Sequence, residues 1–269
     1  MKRKQLGLEA AVAARRAKGR PAAVAAMKHA MAKPHPKPTH GGRRDGAGRK
    51  PNGAKAGERH GVRPFLAGRH PVHVTLRITR EVGRLRRRRA YQAFRWALVR
   101  VLERVDFRVI HISIQATHVH LICEAHDRMA LSKGVRALSI SAAHRLNAAV
   151  GEERGTGRRK GRVFTDRYNA KVIDSPKQCR NELAYVLNNW RRHREDLAGV
   201  KQRRAQVDPY SSAIAFPGWA GREGVPFAWP RGYGALPVSY PTTWLLTEGW
   251  RRWGPIALDE RPGPRPTGR

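Results

Sequence analysis

The sequence predicts an α+β domain in which helices cover one face of an antiparallel sheet. This domain sits between a basic N-terminal arm and a Pro- and Trp-rich C-terminal tail. Three observations predict it. Between about residues 66 and 196 the apolar residues alternate between a period of two and a period near 3.6, in the order strand, helix, strand, strand, helix, strand, helix. The 18 Pro and 26 Gly of the 269-residue chain gather towards its two ends. Two central strands, about 107–115 and 118–124, are so tightly joined that a hairpin is the natural reading.

Residues 1–32 are Ala-rich with scattered Lys and Arg, helix-prone but with little to bury. Residues 33–57 hold too many Pro, Gly and basic residues for a packed core, so 1–65 is expected to be a largely disordered basic arm. Within it Arg43, Arg44, Arg49 and Lys50 are candidate DNA contacts. Gly48-Arg49-Lys50-Pro51 resembles the short Arg-Pro hooks that lie in narrow minor grooves; a plain phosphate-seeking tail is the other reading. From His70 to Ile78, Val72, Val74, Leu76 and Ile78 alternate with His73, Thr75 and Arg77, a half-buried strand. Tyr91, Phe94, Leu98, Val101, Leu102 and Val105 then fall at helical spacing, giving a helix from about 84 to 105. It opens on a cationic cluster, including Arg84, Arg86, Arg87 and Arg88, that either tracks a phosphate backbone or is a solvated face.

After the hairpin, Leu131, Val135, Leu138, Ala142, Leu146 and Ala149 mark a second helix, and 151–162 read as a Gly-rich basic loop. Residues 163–173 read as a fourth strand. The last helix has the clearest start: Ser175 as cap, Pro176 at the first helical position and Gln178 completing a capping box. This order gives a ferredoxin-like arrangement over 66–196. The tail, 197–269, carries five of the seven tryptophans and ten of the prolines. Its indoles either stack on unpaired bases or anchor the tail on the domain.

Lys and Arg number 55 against 20 Asp and Glu, a formal charge of +35. Such a chain repels itself unless it meets a polyanion, which points to DNA or RNA. Neither an apolar run near eighteen residues nor a basic helix with aromatic anchors is present, so no membrane partner is expected. Two cysteines, Cys123 and Cys179, give no disulfide framework and no Cys-based zinc site, and the N-terminus lacks the apolar region of an export signal. The expected setting is cytoplasmic, at the bacterial nucleoid.

In the strand 118–124, His118 and His120 project to one side while Val119, Leu121 and Cys123 project to the other. Two imidazoles about 7 Å apart along a pleat read either as polar residues on a solvated face or as two ligands of one metal ion. On the last helix Cys179, Leu183, Val186, Leu187 and Trp190 form the apolar stripe. Tyr185 points about 150° away from its middle, beside Asn189 and Arg192. A phenol with a pKa near 10 is a poor nucleophile at neutral pH and needs an electrophile activated by a cation. A metal on His118 and His120 would activate a phosphate for in-line attack by Tyr185, with Asn189 as third ligand. Tyr168, in the fourth strand, is the competing tyrosine and reads as packing.

The segments THVHLI (117–122), GRVFTDRYNAKVI (161–173) and NELAYVLNNWRRH (181–193) resemble the single-tyrosine HUH transposases, above all the branch called REP-associated tyrosine transposases. GGRRDGAGRKP (41–51) belongs to the same resemblance, which extends to DPYSSA (208–213) and PTTWLLTEGWRRWG (241–254). It implies cutting and joining of single-stranded DNA through a 5'-phosphotyrosine, with Mg2+ or Mn2+. His118, His120 and Asn189 would be metal ligands and Tyr185 the nucleophile, acting at repeats that fold into hairpins. Two imidazoles suit Mn2+ better than Mg2+. Many members have Pro after the residue equivalent to Asn189, where this chain has Trp190. Arg77 and Arg192 join the arginines above as expected DNA contacts. The alternative is a hairpin-binding protein that has lost the chemistry; the oligomeric state, monomer or dimer, is left open.

Overall fold

A computed structural model describes residues 65–195, 206–222, 225 and 227–262, all within one compact unit, Lys55–Arg269. Arg43, Arg44, Arg49 and Lys50 lie outside the described residues. The elements that build the domain are β1 (Val72–Arg77), α1 (Arg88–Leu102), β2 (Phe107–Ile114), β3 (His118–Ala125), α2 (Arg128–Glu153), β4 (Asn169–Val172) and α3 (Pro176–Leu187). The one-turn helix α4 (Asn189–Arg192) follows, and α5 (Trp244–Thr247) lies in the tail. The sheet order is β2-β3-β1-β4, with every pairing antiparallel. This is the expected α+β arrangement.

Two boundaries differ from the sequence reading. A 3-10 turn at Arg80–Val82 ends at Gly83, whose φ of 79° is in the left-handed region, so the chain leaves the turn extended and α1 starts at Arg88. The fourth strand keeps only Asn169–Val172; upstream of it Phe164 bridges Ile78 alone. The caps fall where the side chains dictate. Asp127 accepts from the Ala130 N–H at 2.7 Å, and Ser175 accepts from Gln178 N–H at 3.4 Å. The Gln178 side chain reaches back to Asp174 N–H, completing the box one residue earlier than expected.

One face of the sheet carries Val72, Val74, Leu76, Ile112, Ile114, Val119, Leu121 and Cys123, packed against α1 and α2 in one core. The sequence places all helices on this face and leaves the other open. Instead α3 lies on the other face, where Ile110 and Ile122 meet Cys179, Leu183, Val186 and Leu187 in a second core. A bulge between Val109 and His111 shifts the phase of alternation along β2. It turns Ile110 out of the first core while Phe107, Val109, Ile112 and Ile114 stay in it.

The tail completes the second core with Val207, Ile214, Trp219, Leu245, Leu246 and Trp250. It also covers the edge of β2: Ile114 N–H donates to Tyr210 C=O and Ser239 N–H to Val109 C=O. Two buried carboxylates pin it. Asp208 takes a bidentate pair from Arg86, at 3.0 and 2.8 Å. Glu124, 2% exposed, accepts from the N–H and hydroxyl of both Thr242 and Thr243.

Candidate active site

The strand register assembles the site. β1 pairs Thr75 with His120, Arg77 with His118 and His73 with Ile122, and on its other side pairs His73 with Lys171 and Thr75 with Asn169. Neighbouring residues in register share a face, so His73, Thr75, His120, Lys171 and Asn169 form one polar surface across three strands. Helix α3 crosses beside it, and Tyr185, off the apolar stripe, reaches the histidines. Its ring centroid is 5.2 Å from that of His120 and 5.6 Å from that of His73. His118 and His120 lie edge to face at 4.7 Å, and His193 stands 5.1 Å beyond His118. All line a cleft of about 880 Å³ with Arg77, Arg192, Glu182 and the tail residues Glu260–Pro262.

The hydrogen bonds are asymmetric. His120 Nδ1 lies 2.9 Å from His73 Nε2 and 3.2 Å from Thr75 Oγ1, while its Nε2 is buried with no partner. His118 Nδ1 lies 3.2 Å from Thr117 Oγ1. Behind them His73 Nδ1 is 2.6 Å from Glu182, whose other oxygen accepts from Lys171 Nζ at 2.7 Å. Burial, reinforced by the charges of His193 and Arg77, brings His118 down to about 4. Burial also holds His120 well below 6.5, with His73, His118, His193 and Arg77 adding to it. Both imidazoles are therefore neutral at pH 7, the state in which a ring nitrogen has a free lone pair. Burial works against the Glu182 carboxylate, but His73 and Lys171 outweigh it and keep its pKa below the ordinary 4.5.

Residues 68–189 match the family model described as Transposase IS200 like. This segment is an IS200-like transposase domain. It begins at the loop before β1 and ends just after α3, so it contains the histidine pair and Tyr185. The family gives the domain a transposase-type role in DNA processing. Among solved structures, a REP-associated tyrosine transposase bound to a REP hairpin is 17% identical over 51% of this chain and 74% of its own, with a TM-score of 0.39. A putative transposase from Deinococcus radiodurans R1 is 14% identical over 47% of this chain and 92% of its own, with a TM-score of 0.30. No curated protein matches the sequence.

At the cleft the structure brings together His118, His120, Tyr185, Arg77 and Arg192; the Arg192 guanidinium lies 5.9 Å from the Tyr185 ring centre. Asn189 is not with them. It is fully buried, does not line the cleft, and both its amide atoms lack partners. The reason is local: α3 ends at Leu187 and the chain restarts as α4 at Asn189, so a continuous-helix projection from Tyr185 fails there. Among the described residues no group of three His, Cys, Asp or Glu could hold a metal. Tyr168 packs against the first core, across the sheet from the histidines.

The arginine cluster is divided. Arg86 is a correction to the sequence reading: its side chain is 7% exposed, it also donates to Ile114 C=O, and it lies over the Tyr210 ring. It holds the tail to the transposase domain, so its charge is not offered to a phosphate. Arg84 and Arg87 stay exposed but pair with Glu195 and Glu153, and Arg88 is exposed on the first turn of α1. Sequence reasoning missed His73, Glu182 and Lys171 as site residues. The signal for His73 was its position on the polar face of β1; Glu182 gave none, because a buried carboxylate on a helix shows only in three dimensions.

Proposed function

We propose that this transposase domain cuts and rejoins single-stranded DNA at hairpin-forming repeats, with Tyr185 as the nucleophile. The observation that carries the reading is the Tyr185 ring packed beside the His118–His120 pair on a cleft that Arg77 and Arg192 also line. The donor set fits a divalent cation: two neutral imidazoles, His120 with Nδ1 engaged and a bare buried Nε2. His118 and His120 would hold the ion, with water and DNA oxygens completing its shell, and Mn2+ suits two nitrogens better than Mg2+. When bound, the ion supplies polarisation of a phosphate oxygen at neutral pH.

The chain's own residues do the rest. Arg77 and Arg192 bind the phosphates flanking the scissile bond and offset their charge as Tyr185 approaches. The Tyr185 oxygen attacks phosphorus, the 3'-oxygen leaves and takes a proton, and the 5'-phosphate stays on the tyrosine. Rejoining is the reverse, with a 3'-hydroxyl as attacker, so no energy source is consumed. The test is a denaturing gel for protein-linked DNA after incubation with labelled hairpin DNA and Mn2+. Binding without any adduct, under every metal and substrate tried, would leave a hairpin-binding protein without the chemistry.

A further inference from the structure

We propose that Trp253 and Lys177 form a stacking step for an unpaired base, on a path by which single-stranded DNA runs along α3 to the cleft. The inference rests on the strand-transfer reading above and names residues that the reading does not use.

The indoles of the tail are of two kinds. Trp219 and Trp250 are 1% and 3% exposed. Each donates its indole N–H to a backbone carbonyl, that of Ala213 at 2.9 Å and that of Leu246 at 3.1 Å. These two anchor the tail. Trp244 is half exposed, but its ring lies so close to Gly249 that a Cβ there would come within 2.9 Å of it. Trp253 differs from all three. It ends the 3-10 turn Gly249–Trp253, is 52% exposed and belongs to neither core.

Its place relative to the cleft follows from α3. Lys177 Nζ lies 5.0 Å from the centre of the Trp253 ring. Lys177, Asn181 and Tyr185 are spaced four residues apart on this helix, so they share one side of it. Asn181 and Tyr185 line the cleft, and Lys177 is exposed one turn nearer the N-terminus. Eight residues at a rise of 1.5 Å separate Lys177 from Tyr185 by about 12 Å along the axis. At the duplex spacing of 3.4 Å this is about three to four nucleotides, and fewer for a stretched strand. A strand with its scissile phosphate at Tyr185 therefore reaches the indole.

Charge selects the occupant. Lys171 and Arg180, the nearby cations of β4 and α3, are paired with Glu182 and Glu260. Lys177 makes no salt bridge among the described residues, and Arg251 and Arg252, just before Trp253, are both exposed. An exposed indole with unpaired cations around it fits an unpaired nucleotide, whose base stacks on the ring while its phosphate meets the ammonium group. A duplex keeps its base faces stacked on one another and offers none to the indole.

The test measures binding of the full chain, in EDTA, to a labelled DNA hairpin with and without unpaired oligo(dT) flanks on both sides. The flanks are expected to tighten binding in wild type, and Trp253→Ala to weaken the flanked complex about 5- to 150-fold, the effect of one stacked base. Trp253→Phe keeps an aromatic face and should recover most of that loss. Lys177→Gln should lower the salt slope for the flanked hairpin by about 0.7, one phosphate contact on a single strand. None of the three should change binding of the hairpin without flanks. Abasic nucleotides placed one at a time through the flanks then locate the base: the position that weakens wild type should not weaken Trp253→Ala. The proposal is overturned if the flanks add nothing in wild type, or if they add as much in Trp253→Ala. It is also overturned if Trp253→Ala weakens both hairpins alike, which marks a structural role. In each of these cases the hairpin itself is bound and the strand-transfer reading is spared; a hairpin that wild type binds in neither form overturns both.

Discussion

Replacing Glu124 measures how firmly the tail is held on the transposase domain. The carboxylate accepts from Thr242 N–H at 3.0 Å and Thr243 N–H at 2.8 Å, and from both hydroxyls at 2.8 Å. Arg108 lies 3.2 Å away. Glu124→Ala removes every one of these acceptors. Arg108 can turn to water, but two backbone N–H groups and the Thr243 hydroxyl are left in a site that is nearly closed. Each unsatisfied group costs about 1–3 kcal/mol, and breaking a buried charged network costs about 3–5 kcal/mol. The tail can peel away and rehydrate, which caps the total near the lower sum, so the expected loss is about 3–5 kcal/mol. With a urea m-value near 2–3 kcal/mol/M, the midpoint falls by about 1–2.5 M. Glu124→Gln keeps one acceptor oxygen and is expected to lose about half as much, roughly 1.5–2.5 kcal/mol. Limited proteolysis of Glu124→Ala should cut first between 206 and 262. A loss below about 1 kcal/mol, with the tail still protected, would refute the reasoning, since an ordinary surface substitution does as much.

Three further outcomes are expected. Gly134→Ala gains about 1 kcal/mol of helix propensity, but its Cβ would lie 2.1 Å from the Phe107 ring, an overlap costing about 1–3 kcal/mol; calorimetry should show a lower Tm, and a higher one would mean the ring moves freely. Burial holds His111 down at about 4 from its ordinary 6.5, so between those pH values the unfolded chain binds more protons than the folded one. Stability in EDTA is then complete above pH 6.5 and falls as the pH drops towards 4, His111 accounting for at most about 3 kcal/mol. His111→Gln should flatten the urea midpoint against pH, and an unchanged profile would remove His111 as the cause. Arg86→Met leaves Asp208 buried without its partner and should cost about 3–5 kcal/mol in urea unfolding, whereas Arg88→Met should cost less than about 0.5 kcal/mol; equal effects would contradict the separate roles given to the two arginines.

The strand-helix order was readable because β1, α1 and α3 each keep an apolar stripe at their own period. The place of α3 was not, because it depends on Ile110 turning outwards at a bulge that a period-two pattern hides. The histidine pair and Tyr185 could be read because each lies off an apolar stripe. Asn189 was misplaced because the helix breaks between Leu187 and Asn189. Arg86 looked like its neighbours in a basic run, and only the fully buried Asp208, 122 residues away in sequence, sets it apart.

The decisive measurement is the covalent adduct. Labelled single-stranded hairpin DNA from the gene's own neighbourhood is incubated with Mn2+ and wild type, Tyr185→Phe, Tyr168→Phe or His120→Ala, then run on a denaturing gel. A protein-linked band is expected in wild type and Tyr168→Phe and absent in Tyr185→Phe and His120→Ala. A band that survives Tyr185→Phe and disappears in Tyr168→Phe would contradict the assignment of Tyr185 beside the histidine pair.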